Sequence, residues 1–234
     1  MTERVTGLMT RRRFAVGGAS AMGLALAGCN ATTGRGSSGF FSGRDPDFPL
    51  NYGPRPDEKF PLAAVRPRQL PPRFRRQRVA YETDERVGTL VVETSAYYLY
   101  LVEPDGMAMR YGVGLGRQGF EWSGRARVAW KREWPKWTPP DEMIARQPEL
   151  ERWSVRNGGM PPGLDNPMGA RALYIFEGGV DTLYRVHGSN DPTAIGKPTS
   201  AGCVRMVNQD VIDLYDRVKP NARILVMAPD TPVG

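Results

Sequence analysis

The chain contains a single histidine, His187, and two cysteines, Cys29 and Cys203. Cys203 follows His187 by sixteen residues, across a loop rich in Gly, Pro and Asp. A thiol with its ordinary pKa of about 8.5 is mostly protonated near neutral pH, and a neighbouring imidazole is its usual activator in acyl transfer. The pair therefore predicts a Cys-His nucleophilic site, although a buried structural cysteine and an unrelated surface histidine would explain the same residues.

Other uses of these residues are less favoured by the sequence. A zinc site needs three or four ligands, which one histidine and one cysteine do not supply without nearby carboxylates. We therefore expect no metal and no cofactor. A disulfide between Cys29 and Cys203 is the structural alternative, and it is excluded only if Cys29 is modified in another way.

The residues around Cys203 fit a reactive thiol, in the run Ser200-Ala201-Gly202-Cys203-Val204-Arg205. Gly202 allows a close approach of the backbone, and the amides around Cys203 are suited to hold a tetrahedral oxyanion. Ser200 also fits a simple turn hydrogen bond, and Arg205 also fits a structural ion pair.

Strands must deliver these side chains, and the sequence after Gly88 is rich in β-branched and aromatic residues. The turn Glu103-Pro104-Asp105-Gly106 predicts a hairpin between two strands. The predicted strands are Thr89–Thr94, Tyr97–Val102, Met107–Val113, Ala126–Trp130, Arg171–Phe176, Thr182–Val186 and Arg223–Met227. One helix is predicted after Asn208 as its N-cap, and a short second one over Asp141–Gln147. A mostly β domain with peripheral helices follows.

The first 28 residues are typical of an export signal. The twin-arginine run Arg11–Arg13 precedes the uncharged, Gly- and Ala-rich stretch Ala15–Gly28, which is too short for a permanent membrane span. The stretch ends in Leu26-Ala27-Gly28-Cys29, which resembles the lipobox of bacterial lipoproteins, with Cys29 as the lipid attachment site. A buried helix with an incidental cysteine is the alternative.

Residues 29–80 are Gly- and Ser-rich and then Pro- and Arg-rich, without a helical or strand period. Such a composition predicts a tether, because it buries too little apolar surface to offset its ordering entropy. Its end, Arg66–Arg78, contains six arginines, which we interpret as a solvated basic arm. An exported chain meets little nucleic acid, so we expect none as a partner. Residues 81–234 remain as the catalytic domain.

Composition agrees with one folded core, since 40% of the residues are hydrophobic and five are tryptophan. The net charge is +7, and residues 1–28 carry four of the arginines and one acid, so the chain without them keeps +4. That charge suits anionic surfaces of several kinds and does not choose among them.

The chain contains His187-Gly188 and, with fifteen residues between His187 and Cys203, the run Ser-Ala-Gly-Cys-Val-Arg. This pattern resembles the signature of the YkuD-type L,D-transpeptidases, including their ErfK branch. The resemblance covers roughly residues 88–227 and is most specific in the C-terminal half. Ala201 stands where many members carry a second histidine, which leaves that supporting role unfilled here.

The resemblance implies an L,D-transpeptidase-like β-sandwich with a few short peripheral helices. It implies that Cys203 attacks a peptidoglycan tetrapeptide stem, releases D-alanine and forms a thioester. His187 would act as proton acceptor and donor, the Gly188 carbonyl would orient its ring, and Ser200 or Arg205 would support the loop or meet a substrate carboxylate.

The implied partners are peptidoglycan stem peptides in the periplasm and a membrane reached through the lipid anchor. The acceptor amine belongs to a second stem or to an outer-membrane protein. A hydrolase that passes the acyl group to water, and a non-catalytic wall-binding lipoprotein, are the alternatives. The long insertion Glu133–Met168, with three tryptophans, predicts either a lid over the site or a satellite core.

Overall fold

The computed structural model describes residues 46–116, 122–199 and 203–228. In this part of the chain the strands are β1 (Gln77–Ala80), β2 (Leu90–Glu93), β3 (Tyr98–Val102), β4 (Met107–Gly112), β5 (Gly114–Gly116), β6 (Gly124–Glu133), β7 (Arg171–Glu177), β8 (Val180–Ser189), β9 (Pro198–Thr199), β10 (Val204–Val207) and β11 (Arg223–Met227). The helices are α1 (Phe48–Tyr52), α2 (Asp141–Arg146) and α3 (Asn208–Arg217). Short 3₁₀ turns lie at Pro67–Gln69, Pro72–Phe74, Pro148–Trp153 and Pro192–Ala194. The prediction of a mostly β domain with short helices is confirmed.

The strands form one hydrogen-bonded sheet in the order β1-β4-β3-β2-β11-β6-β7-β8-β10-β5-β9. β4 and β5 are separated along the chain by Val113 alone, yet seven strands lie between them in the sheet. Because one residue cannot span seven strand spacings, the sheet must fold back until its two halves face each other. This arrangement agrees with the expected sandwich-like fold.

The two halves enclose one apolar core. Alternate residues of the strands point into it, and α3 closes it with Val211 and Leu214. Its fully buried members include Leu90, Leu99, Tyr111, Leu173, Ile175, Val186, Val204, Met206 and Ile224. Both strands that carry the candidate site, β8 and β10, are anchored in this core through Val186 and Val204.

Most of the predicted elements are present within one to three residues of their expected bounds. The β3–β4 hairpin turns where predicted, with Asp105 and Gly106 both at positive φ. The N-cap assignment of Asn208 is wrong, because α3 begins at Asn208 itself and no side chain caps it. The Asn208 side chain instead bonds the backbone of Ala170 and the side chain of Asn190.

The tether predicted for residues 29–80 is not what the structure shows for residues 46–80, which pack on the domain. Phe48, Tyr52, Leu70 and Phe74 are buried in one cluster with Val207. β1 adds to the edge of the sheet by pairing with β4. The sequence did not predict these contacts, because isolated apolar residues between prolines form no regular face. Residues 1–45, with the expected signal and Cys29, lie outside the described residues.

The basic arm is likewise only partly solvated. Arg66, Arg68, Arg73 and Arg78 are exposed, as expected. Arg76 is buried, with 8% of its side chain exposed, and its guanidinium lies 3.0 Å from the carboxylate of Asp213 on α3. This arginine therefore fastens the arm to the helix that follows β10.

Within the described ranges, no helix combines the length and the hydrophobicity that crossing a bilayer requires.

Candidate active site

The parallel pairing of β8 with β10 places the two candidate residues on one face of the sheet. Val204 is in register with Val186, and Arg205 with His187. Since Val186 and Val204 face the core, His187 and Arg205 face the opposite side, here termed the outer face. Cys203 immediately precedes β10, and its Sγ lies 4.0 Å from the carbonyl oxygen of Leu183 on β8.

The His187 ring is held by its neighbour in sequence. Nδ1 lies 2.7 Å from the carbonyl oxygen of Gly188. A carbonyl only accepts hydrogen bonds, so Nδ1 carries the proton, and Nε2 keeps a lone pair that can accept one. This is the contact that the sequence resemblance implied for Gly188.

Burial sets the charge state of the histidine. His187 is only 5% exposed. This burial lowers the pKa of His187 to about 4; the charges of Arg205 and Arg185 lower it further, and the Gly188 hydrogen bond opposes them. The imidazole is therefore neutral at physiological pH.

Cys203 is half-buried, and burial raises the pKa of its thiol. A backbone hydrogen bond from Arg185 and the charges of Arg185 and Arg205 oppose that rise. With a neutral imidazole and a protonated thiol, the resting site is a neutral pair. The arrangement thus suits general-base catalysis, in which the proton moves as the sulfur attacks.

We expect the His187 imidazole to titrate with a midpoint near 4, well below the ordinary value of about 6.5, because burial and two arginines disfavour its charged form. Since it is the chain's only histidine, its ring resonances can be followed by NMR from pH 3 to 8 without assignment ambiguity. In an Arg205→Met variant the midpoint should rise. A wild-type midpoint near 6.5 would contradict the neutral-pair description.

Gly188 has a second reason to be glycine. A Cβ at this position would collide with the Asn208 side chain and crowd Val211 of α3. Asn208 is buried, accepts from the Ala170 amide at 2.9 Å and donates to Asn190 at 2.6 Å. It therefore joins α3 to the segments on both sides of His187, a role that the sequence did not reveal.

Arg205 is half-buried, and among the described residues it has no ion-pair partner. It is in register with His187 on the outer face. Within the described ranges, this leaves a positive charge beside His187, and the choice between a structural ion pair and a substrate contact stays a prediction. The expected positions of Ser200 and Gly202, like that of Ala201, lie outside the described residues.

The sequence did not indicate Arg185, whose backbone bonds the sulfur of Cys203, or the contacts that hold its side chain. Arg185 lies opposite Tyr174 in the β7–β8 register and is paired with Asp181. The sequence pattern did not indicate a role for Arg185 and Asp181, because charged residues in a strand are ordinarily interpreted as solvent-facing. The contact only appears once the register is known.

The insertion Glu133–Met168 is divided between the two expectations. Trp134 is buried in a small cluster with Leu62 and Ile212, and its indole N–H donates to Glu58 at 2.9 Å. Trp134 thus belongs to a satellite core. Trp137 is only partly buried and forms an isolated antiparallel bridge with Met160, and its role in a lid stays a prediction.

Over the described residues, no group of three His, Cys, Asp or Glu side chains gathers closely enough to hold a metal ion.

Comparison with known proteins gives sequence matches over the same region. The family model of the L,D-transpeptidase catalytic domain, YkuD, matches residues 88–226. The Escherichia coli K12 protein named probable L,D-transpeptidase ErfK/SrfK is 34% identical over 149 residues, 62% of this chain and 44% of that protein. The probable L,D-transpeptidase YbiS of the same organism is 34% identical over 122 residues, 48% of this chain and 35% of that protein. The chain thus spans less than half the length of these curated relatives.

A crystal structure from Brucella melitensis is described as a probable carnitine operon oxidoreductase. It is 47% identical and covers 64% of this chain and 91% of its own, with a TM-score of 0.47. The oxidoreductase activity in this description refers to the Brucella protein. The family model and both curated relatives are described as L,D-transpeptidases.

Proposed function

Because this chain belongs to the L,D-transpeptidase catalytic domain family, we propose that it is a peptidoglycan L,D-transpeptidase with Cys203 as nucleophile and His187 as base. The observation that supports this most directly is the parallel pairing of β8, which carries the neutral imidazole of His187, with β10, which begins directly after Cys203. The expected substrate is the tetrapeptide stem, whose terminal D-alanine is the leaving group.

In the first half of the reaction, Nε2 of His187 takes the thiol proton while the sulfur attacks the stem carbonyl. A C–S bond forms, and the C–N bond to D-alanine breaks as the imidazolium returns its proton to the leaving amine. Backbone amides near Gly202 and Cys203 are proposed to hold the oxyanion. The product is a thioester on Cys203.

In the second half, His187 removes a proton from the incoming amine, which attacks the thioester. The C–N bond to the acceptor forms, the C–S bond breaks, and the thiol is restored with the proton from His187. The Gly188 carbonyl holds the ring in the same tautomer through both halves, since it bonds Nδ1 and leaves Nε2 to exchange protons.

Arg205 is proposed to bind a carboxylate of the stem. Its guanidinium is half-buried and without an ion-pair partner among the described residues, next to the position where the stem carbonyl must lie. A charge-assisted bond to a carboxylate would satisfy it and would orient the stem for attack.

The place of action is proposed to be the periplasm, with Cys29 as the lipid attachment site after removal of residues 1–28. The partners are peptidoglycan stem peptides, and the acceptor is an amine of a second stem or of an outer-membrane protein. Neither a cofactor nor a nucleic acid is part of the proposal.

The test is intact mass spectrometry of a chain beginning at Asp45 with a disaccharide tetrapeptide that contains diaminopimelate. We expect an adduct on Cys203 equal to the donor minus D-alanine, and a His187→Ala variant without it. Addition of an amine acceptor should discharge the adduct into a cross-linked product. Discharge into water alone would assign a hydrolase on the same site. Absence of both adduct and D-alanine release, in a protein whose thiol alkylates normally, would favour a wall-binding protein.

A further inference from the structure

The strand that carries His187 contains a bulge just before the histidine. In the β7–β8 ladder, Tyr174 pairs with Arg185 and Phe176 pairs with Asp181, so that three residues of β8 oppose the single residue Ile175. A bulge of this kind bends the strand and re-aims its side chains, often beside a functional site.

Leu183 at the middle of the bulge has φ +59, which is the left-handed region, and its side chain is 72% exposed. This backbone conformation is unfavourable for leucine, and it persists only where neighbouring groups hold the backbone in place. Here the backbone is held, because the Leu183 amide donates to Asp181 Oδ1 at 2.9 Å and the Tyr184 amide donates to Thr182 Oγ1 at 3.1 Å.

Asp181 binds the side chain of Arg185 at the same time. Arg185 Nη1 donates to Asp181 Oδ1 and Nη2 to Oδ2, both at 2.7 Å, which is the two-pronged geometry of a strong Arg–carboxylate pair. One carboxylate thus fixes both the bulge backbone and the guanidinium.

The guanidinium is further confined by aromatic rings on the outer face. It lies 4.4 Å over the Tyr174 ring, which stacks on Trp130 with centroids 3.5 Å apart and an interplanar angle of 11°. Nη1 also donates to the Tyr184 carbonyl at 2.9 Å, and 12% of the Arg185 side chain is exposed. Arg185 is therefore fixed in place with little freedom to turn towards solvent.

The sulfur of Cys203 rests against this bulge. Sγ lies 4.0 Å from the carbonyl oxygen of Leu183, and the backbone of Arg185 bonds the sulfur. The conformation that Asp181 imposes on Leu183 and Arg185 therefore also decides where the thiol can lie.

We propose that Asp181 and Arg185 position the nucleophile: the Asp181–Arg185 clamp holds the bulge against Cys203 and places a fixed positive charge beside the thiolate. The role rests on the proposed function, since it gives Cys203 the part of attacking sulfur. Arg185 acts through the thiol and is a positioning residue, not a group that meets the reacting carbon.

The charged and titratable groups that face Cys203 come from three strands. β8 contributes Arg185 and Tyr184, β7 contributes Tyr174, and β10 contributes Arg205. His187 of β8 lies in register with Arg205. Burial raises the pKa of both Tyr174 and Tyr184, so the two tyrosines stay protonated near neutral pH. Near neutral pH the fixed charges at the sulfur are therefore those of the two arginines, with Asp181 bound to one of them.

The test is the pH dependence of Cys203 alkylation by iodoacetamide in the chain beginning at Asp45, where Cys203 is the only cysteine. In Arg185→Met we expect the midpoint to move upwards by about one unit, so that alkylation below the midpoint slows about tenfold. The plateau rate at high pH should stay near that of the wild type. Arg185→Lys keeps the charge without the two-pronged bond, and its midpoint should lie between the two.

Arg78→Met is the matched control, because Arg78 of β1 donates a similar 2.7 Å bond to the carboxylate of Glu103 and has no described contact with Cys203. Its midpoint should equal the wild-type value. In D-alanine release, Arg185→Met should lower kcat while leaving KM for the tetrapeptide within about twofold.

A wild-type midpoint in folded Arg185→Met would overturn the proposal, and if that variant fails to fold, a wild-type midpoint in Arg185→Lys would do the same. Alkylation needs no substrate, so this result is readable even if the protein forms no adduct with the tetrapeptide. Failure of the transpeptidase assignment and failure of the clamp are thereby distinguished.

Discussion

Cys203→Ala is expected to reduce the rate of D-alanine release from a tetrapeptide stem by at least about 10⁴-fold, because loss of a covalent nucleophile removes most of an enzyme's rate enhancement. His187→Ala should reduce it by about 10²- to 10⁴-fold, the usual contribution of a positioned general base. The rate is measured by coupled detection of D-alanine with chains beginning at Asp45.

The two variants should not be additive. If His187 acts only by removing the proton of Cys203, the double variant should be no slower than Cys203→Ala alone. Fold integrity is checked by thermal melting, since Cys203 is half-buried and its truncation to alanine removes one sulfur atom. Retention of more than a tenth of the wild-type rate in folded Cys203→Ala would contradict the proposed chemistry.

The residues that carry the site were accessible from sequence because they are rare. The chain has one histidine and, once Cys29 is assigned to the lipid anchor, one further cysteine, and the spacing of the two matches that of the family. The sequence therefore offers few other pairings for a Cys-His site. Enrichment in β-branched and aromatic residues predicted β2 and β3, whose residues are almost all buried in the structure. Scarcity and composition are both properties of the chain by itself.

The supporting residues could not be predicted because their partners are chosen by register. Arg185 looks like an ordinary exposed charge until the bulge at Leu183 brings Asp181 beside it. From the sequence alone, Asn208 is well suited to cap the helix. Its side-chain amide bonds Ala170 and Asn190 instead, because the fold brings these two residues close to it. Such contacts join segments far apart in the chain, where local propensity carries no information.

Removal of residues 46–76 is expected to destabilise the domain severely, in contrast to the removal of a tether. A chain beginning at Gln77 should unfold at least about 10 °C below one beginning at Asp45, as several kcal/mol of lost stability predicts for a domain of this size. Thermal melting followed by circular dichroism is the measurement. Equal melting temperatures would restore the tether interpretation.

The buried charge on α3 is the first reason for this expectation. Asp210 is completely buried; its partners are the Tyr52 hydroxyl at 3.2 Å and the Arg76 guanidinium at 3.9 Å. Burial raises the pKa of Asp210 to about 7, with the Arg76 charge working in the opposite direction. Loss of the partners of a buried charge typically costs about 3 to 5 kcal/mol.

The second reason links the segment to the site. Phe74 packs on Ile195. Gly196 has φ +77, and a Cβ at this position would also collide with the Phe74 ring, so both its backbone and its surroundings require glycine. Ile195 and Gly196 belong to the loop between His187 and Cys203, and Gly196 is tied to the sheet by its bond to Val113 at 2.9 Å. The segment therefore supports the loop that sets the distance between base and nucleophile.

Point variants separate these effects from a general loss of chain. Phe74→Ala should cost about 3 to 5 kcal/mol and also slow alkylation of Cys203, because the truncated ring leaves a cavity under the loop. Leu50→Ala is the control within the same segment, since 78% of Leu50 is exposed and its removal opens no cavity. If Phe74→Ala lowers the melting temperature but leaves the alkylation profile unchanged, the segment stabilises the domain without positioning the loop. If both change together, the packing of residues 46–76 is part of what keeps the thiol and the imidazole within reach of each other.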